Sequence, residues 1–336
     1  MIKKEYAVTL GCDPEFFIEL DNKIQGSEKL IPKDSKFIKR DGVQCELNPR
    51  QMVCRAHLHN EIRGLLRQLK QEIERKGIKY GIVSDQVIKM DKKILDALSA
   101  EARRFGCAPS NNAYTKTTNK IKVSASKYLY RSAGGHIHIG FPDVDYEFKK
   151  FIRPNEEGIQ RLVKLFDIMV GCIGTLLDRD IWAKERRKVY GRAGDYRTPK
   201  HGFEYRTLSN FWLKDYMLMS LVFGQARAAC LYDYNGYSNE AFKAVEHLDI
   251  ETIINNNDMN GAIEVYNCME PIYKKFPAID AYPLNAASTK IFREFFMDPR
   301  RKPAGEDNIL EYWVERPEGH QGGFFDTLLK RGWNRK

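Results

Sequence analysis

The chain contains no Cys-x-x-Cys pair. Its seven cysteines, Cys12, Cys45, Cys54, Cys107, Cys172, Cys230 and Cys268, are odd in number and irregular in spacing. That excludes a zinc knuckle and a disulfide framework, and it predicts reduced thiols in the core. A membrane span is missing too. The longest apolar run, Ile168 to Leu177, is broken by Gly171, Gly174 and Thr175 and is too short to cross a bilayer. No secretory leader is read at the start, where Met1-Ile-Lys-Lys-Glu-Tyr runs straight into a strand pattern, so a cytoplasmic protein without membrane contact is expected. No internal repeat is present. Acidic residues are absent from Asn111 to Gly135, a stretch with five basic ones.

What is there fits a globular protein of one large or two ordinary domains: 336 residues, 43% hydrophobic and 12% aromatic. The net charge of +10 is unevenly placed. Met1 to Arg50 balances nine basic against nine acidic residues, whereas Lys184 to Arg206 carries eight basic against three acidic. Such patches suit a polyanionic partner: nucleotide phosphates, a nucleic acid backbone or an acidic protein. Tyr114, Tyr128, Tyr130, Tyr190 and Tyr196 lie among the basic residues, where bases could stack on them.

The stretch Arg131-Ser-Ala-Gly-Gly-His-Ile-His-Ile-Gly140 reads as a strand that turns His136 and His138 to one face, with Gly134 and Gly135 admitting a close backbone approach by a ligand. Three other segments offer charge in strand-like settings. Tyr6 to Leu20 places Asp13 and Glu15 two residues apart around Pro14, which marks a strand end or edge, and two such acids repel unless a cation sits between them. Gly42 to Pro49 puts Gln44 and Glu46 on one face, with Val43, Cys45 and Leu47 on the other. Gly202 to Arg206 aligns Glu204 with Arg206, after an arginine- and glycine-rich loop from Asp178 to Arg197 that suits phosphate. Between them, residues 21–41 read as a hairpin or exposed loop, Gly81 to Val87 as a strand and Cys107 to Tyr114 as a loop. Helices are predicted over His57 to Lys76, Lys92 to Phe105, Asn155 to Leu177 and Phe211 to Tyr232. Short helical patterns follow at Asn239 to Leu248, Asp249 to Ile254 and Asn260 to Tyr273, before a basic tail, Leu328 to Lys336.

Taken in order, Gly-Cys-Asp-Pro-Glu-Phe-Phe, Glu-Leu-Asn-Pro, Arg-x-Ala-Gly-Gly-His-Ile-His, Tyr-Gly-x-Ala-Gly-x-Tyr-Arg and Gly-x-Glu-Tyr-Arg resemble the phage-type carboxylate-amine ligases (amidoligases) of the glutamine synthetase and glutamate-cysteine ligase superfamily. The resemblance covers Tyr6 to Trp212. It implies an α+β fold: a glutamine synthetase-like curved antiparallel sheet with helices on its convex side, in a catalytic domain of residues 1–234, plus a mostly helical extension over 235–336. It further implies ATP, two or three magnesium or manganese ions, and an amide formed from a carboxylate and an amine through an acyl phosphate. Carried over by position, Glu15 and Glu46 would hold one ion, and Asp13, His136 and Glu204 the ion on the ATP phosphates. His138 and Arg131 would lie toward the nucleotide, and Arg192, Arg197 and Arg206 would neutralise the transferred phosphoryl group. Asp13 stands where the synthetases carry Glu, so its reach is shorter by one methylene. A homo-oligomer is compatible with the resemblance. A guanidino-type small-molecule kinase on the same fold, and a basic nucleic-acid-binding protein, are the alternatives.

Overall fold

A computed structural model describes residues 8–20, 23–33, 35–53, 55–75, 80–83, 87–100, 103, 109–119, 129–141, 153–178, 180–275 and 309–315. Pro14 has no N–H to give a ladder, and the first predicted strand divides there into β1 (Thr9–Cys12) and β2 (Glu15–Leu20). The stretch read as a hairpin or loop holds β3 (Lys23–Gln25) and β4 (Ile38–Asp41). Gly42, at φ +61°, then turns the chain into β5 (Gln44–Leu47). Helix α1 (Arg55–Glu74) buries Leu58, Ile62, Leu65, Leu66, Leu69 and Ile73 along one side, as their spacing requires.

Next come β6 (Tyr80–Val83), β7 (Val87–Lys89) and α2 (Lys92–Ala97). The last is shorter than predicted. Leu98 turns extended and joins a small core with Phe17, Val43, Ile88, Met90 and Leu95, so burial of that side chain ends the helix. Residues 104–108, with the predicted end of this helix at Phe105, lie outside the described residues.

The predicted loop at 107–114 contributes β8 (Ser110–Asn112), followed by β9 (Thr118–Asn119). The histidine stretch is not one strand but two, β10 (Tyr130–Ser132) and β11 (Ile137–Gly140). Between them the backbone packs so tightly that a Cβ on Gly135 would lie 2.2 Å from the Ser209 carbonyl oxygen, and Trp212 Nε1 donates to the Gly135 carbonyl at 3.1 Å. The glycine at 135 thus admits the chain's own 209–212 turn, where a ligand was expected.

The long apolar helix runs as α3 (Glu156–Phe166), a π-turn (Asp167–Gly171) and α4 (Cys172–Leu177), with Asn155 Oδ1 accepting from Gly158 N–H as its N-cap. The arginine-rich loop folds into α5 (Ala183–Val189) before β12 (Asp195–Arg197) and β13 (Gly202–Tyr205). A 3-10 turn (Asn210–Lys214) leads to α6 (Tyr216–Tyr234), then α7 (Ser238–Ala244), α8 (Ile250–Asn255) and α9 (Met259–Lys275). The segment 309–315 packs back on α1 and on the turn before α6: Trp313 Nε1 donates to the Leu213 carbonyl at 2.7 Å, and Arg63 Nε to the Trp313 carbonyl at 2.9 Å. The basic tail lies outside the described residues.

The strands form antiparallel sheets and the fold is α+β. One sheet has the order β1-β11-β13-β12-β8-β9; a second pairs β3, β2, β5 and β4, with β6 also on β2; β10 pairs with β7. Register decides which side chains meet. Gly11 pairs with His138, His138 with Glu204, and Glu204 with Arg197, which places this row on one face. Phe203 and Tyr205 point to the other, where Phe166 packs on both. The described cysteines are unpaired, with Cys12 and Cys45 buried in the core and facing away from their acidic neighbours. No helix among the described residues is long and apolar enough to cross a membrane.

Candidate functional site

Because the chain leaves one sheet at Asp13 and enters the other at Glu15, the two carboxylates sit on opposite sides of a seam. The seam is held by Glu15 N–H on the Gly134 carbonyl (2.9 Å) and Asn210 Nδ2 on the Glu15 carbonyl (2.9 Å). On one side Asp13, His136 and Glu204, all buried, bring ligand atoms within 4.8 Å of one another. His136 Nδ1 lies 2.9 Å from Asp13 Oδ1 and 3.4 Å from Glu204 Oε1, and His138 Nε2 lies 3.2 Å from Asp13 Oδ2. Arg197 grips Glu204 with two bonds, Nε to Oε2 at 2.8 Å and Nη2 to Oε1 at 2.6 Å, while Arg206 Nη1 reaches Oε1 at 2.7 Å.

This side is charge-compensated. Burial would raise both acids, but His136 and His138 hold Asp13 well below the usual carboxylate range, and His136, Arg206 and Arg197 hold Glu204 low. Burial pushes His136 down, whereas Asp13 and Glu204 overcome burial to lift His138.

On the other side Glu15, Asp41 and Glu46 likewise bring oxygens within 4.8 Å of one another. Here, among the described residues, no lysine or arginine forms an ion pair with any of the three. Glu15 Oε2 accepts from Gly134 N–H at 2.7 Å and from Gln44 Nε2 at 3.1 Å, and Asn48 Nδ2 donates to Glu46. Burial and mutual repulsion drive all three upward: Glu15 well above its usual value by burial and Asp41, Asp41 to about 6 by burial and Asp13, and Glu46 to about 7 by burial and then Asp13 and Asp41. Arg206 and Arg197 act on Asp41 and Lys39 on Glu46 without offsetting burial and repulsion, so three crowded carboxylates with no ion-paired lysine or arginine among the described residues fit a hard divalent ion, as does the carboxylate-imidazole set beside them.

The structure thus brings together Asp13, Glu15, Glu46, His136, His138, Arg197, Glu204 and Arg206. It places Arg192 and Arg131 elsewhere. Arg192 Nε and Nη2 close the end of α5 on the Arg187 and Lys188 carbonyls (3.1 and 2.9 Å), a backbone demand that keeps its guanidinium off Glu204. Arg131, buried, donates to the Tyr130 and Arg103 carbonyls.

The arginine-rich loop is corrected in the same sense. Arg186 donates to the Thr207 and Leu208 carbonyls at 2.9 and 2.8 Å, and Arg187 to the Ile254 carbonyl at 2.7 Å, so both hold the fold together. Tyr190 and Tyr196 are interior and cannot stack on bases. Replacing Arg186 with Met, which strands two buried carbonyls, is expected to cost about 3 kcal/mol in urea unfolding while the folded fraction keeps its ligand affinity. Lost affinity at full stability would return Arg186 to a binding role.

Four participants escaped the sequence: Asp41, read as the end of a loop; Gln44, noted only for its face; Tyr190, noted only for stacking; and His201, whose ring stacks on His138 at 5.4 Å with Nε2 3.3 Å from His138 Nδ1. The Asp-Gly step at 41–42, which reverses the chain beside Glu46, was a usable signal for the first.

No curated protein matches the chain. Residues 111–246, which carry His136, His138, Arg197, Glu204 and Arg206, match the family described as phage phiEco32-like COOH.NH2 ligase-type 2, the kind of ligase that the motifs resemble.

Proposed function

We propose that the chain joins a carboxylate to an amine at the expense of ATP, through an acyl phosphate, on a glutamine synthetase-like sheet. The observation that carries this reading is the pair of acid clusters flanking the Asp13-Pro14-Glu15 seam, with Arg197 and Arg206 ion-paired to Glu204 in one of them. Asp13, His136 and Glu204 would hold the magnesium or manganese ion on the nucleotide phosphates. Glu15, Asp41 and Glu46 would hold the ion nearer the acceptor carboxylate. Such ions, when bound, neutralise phosphate charge and polarise the oxygens that they touch.

The chain's own residues supply the rest. Arg197, whose side chain is 34% exposed, can turn from Glu204 to a transferring phosphoryl group, whereas Arg206, 1% exposed, stays fixed behind it. Phosphoryl transfer needs charge and alignment above all. The amine then attacks the acyl carbon, the carbon–nitrogen bond forms, and phosphate leaves. His138 and His201 border the nucleotide side. Arg131 and Arg192 have no part in this reading.

Calorimetry of ATP with and without magnesium, on the unsubstituted chain and on Arg197→Ala, tests it. Metal-dependent binding, weakened about tenfold by the substitution, is expected. Hydroxylamine offered with ATP and a pool of carboxylic acids should then yield a hydroxamate, because it traps an acyl phosphate without knowledge of the natural amine. Stable phosphorylation with no amide would favour the kinase reading, and absence of nucleotide binding with every metal tried would overturn both.

A further inference from the structure

Tyr190 has no place in the chemistry above, yet it is held firmly beside it. It is 5% exposed and ends α5. Its ring packs against two guanidinium groups, Arg186 Cζ at 5.1 Å and Arg206 Cζ at 5.2 Å from the centroid. Its hydroxyl meets His136 Nε2 and accepts from Arg206 Nη2 at 3.0 Å. Gly134 makes room for this pairing: a Cβ there would lie 2.5 Å from His136 Nε2 and 3.1 Å from Tyr190 Oη.

An imidazole can turn end over end about its outer bond and exchange Nδ1 for a carbon at nearly the same position. Only the partners of both nitrogens decide which edge faces inward. Here Nδ1 faces Asp13 and Glu204, and the tyrosine hydroxyl occupies the opposite end.

We propose that Tyr190 is a positioning residue for the Asp13, His136 and Glu204 cluster, its hydroxyl, braced by Arg206, locking the His136 ring so that Nδ1 is the atom presented to a divalent cation. This rests on reading that cluster as a cation site. A hydroxyl is the right group, because it can donate to a bare Nε2 or accept from a protonated one while still accepting from Arg206. It therefore serves His136 in either tautomer. With Nδ1 between two carboxylates the N–H belongs there, and Nε2 accepts from Tyr190. When Nδ1 meets a cation the proton resides on Nε2, and the tyrosine oxygen accepts it.

The test is Tyr190→Phe, which retains the ring against the two arginines and deletes only the hydroxyl. Mn2+ binding is measured by calorimetry on both chains, thermal unfolding on both, and the His136 ring nitrogens by 15N NMR. The expected result is a 10- to 100-fold loss of Mn2+ affinity, a modest fall in unfolding temperature from the two buried groups that lose their partner, and a His136 Nε2 shift that moves to that of a nitrogen without a hydrogen-bond donor. Equal Mn2+ affinity and unchanged nitrogen shifts in the variant overturn the proposal while leaving the cation reading intact. No Mn2+ binding by the unsubstituted chain overturns the cation reading and the proposal with it. Should the Phe chain not fold, the shifts of the unsubstituted chain decide: an Nε2 shift typical of a hydrogen-bonded acceptor supports the lock, and that of a free ring nitrogen overturns it.

Discussion

Glu15→Gln is expected to abolish turnover and to make the metal-free protein more stable at pH 7.5, whereas Glu204→Gln is expected to abolish turnover and to make it less stable. Both changes preserve shape and remove one negative charge, so the opposite signs come from the surroundings. Glu15 is crowded by Asp41, Glu46 and Asp13, and burial alone already disfavours its charge. A neutral amide relieves that crowding and can still accept from Gly134 N–H. Glu204 is instead the shared counter-charge of Arg197 and Arg206, and its side chain is 4% exposed. Removing it leaves Arg206 buried without its carboxylate, at about 3–5 kcal/mol for a broken buried pair. The loss in turnover is expected to be about 10³-fold or more in each, because each removes charge placed for the transition state. Turnover and urea unfolding measured on both variants check this; activity retained by Glu15→Gln would remove its cluster from the chemistry, and equal stability changes would refute the charge accounting.

The stability of the metal-free chain relative to Asp41→Asn falls as pH rises from about 4 to about 7. Asp41 titrates near 6 in the fold against 3.8 for the unperturbed group, pushed up by burial and Asp13, so the folded state holds a proton that the unfolded state has released. A contribution of that kind is fully present below the unfolded value and is lost as pH passes the folded one. Asn mimics the protonated acid at every pH. At pH 4 the two chains should therefore differ little, and at pH 8 Asp41→Asn should be more stable, by about 3 kcal/mol at about 1.4 kcal/mol per unit over a shift from 3.8 to about 6. Glu46, near 7, behaves in the same way a little higher. Millimolar magnesium should reverse the order at pH 8, since a cation supplies the charge that the cluster lacks and raises the melting temperature of the unsubstituted chain more than that of the variant. A pH-independent difference, or a magnesium shift equal in both chains, would remove Asp41 from the cluster.

Much of the chemistry was legible because it resides in short motifs on strands. Alternation alone aligns His136 with His138 and Glu204 with Arg206. What was not legible follows from three physical causes. Glycine looks the same whether it admits a ligand or the chain's own backbone, so Gly135 was read as ligand space when Ser209 and Trp212 fill it. Arginine composition does not say whether a guanidinium serves a phosphate or a carbonyl, so Arg192 and Arg131 were placed with the phosphates and are found on the backbone. A loop also cannot be told from a short strand when pairing comes from far along the chain, which hid β8 against β12 and brought Asp41 to Glu15 unseen.

The sequence alone determined the chemical inventory: which acids and imidazoles stand two residues apart, which helices are amphipathic, that the thiols lack a zinc-knuckle or disulfide spacing, and which family the motifs resemble. These depend on local periodicity and residue chemistry, which neighbours in the chain suffice to set. Only the tertiary structure decided that Asp13 and Glu15 belong to different clusters, that Asp41 completes one of them and Tyr190 braces the other, and that of four candidate arginines only Arg197 and Arg206 face Glu204. Those outcomes depend on strand register and on where buried carbonyls need donors, and both are set by contacts between residues far apart in the chain.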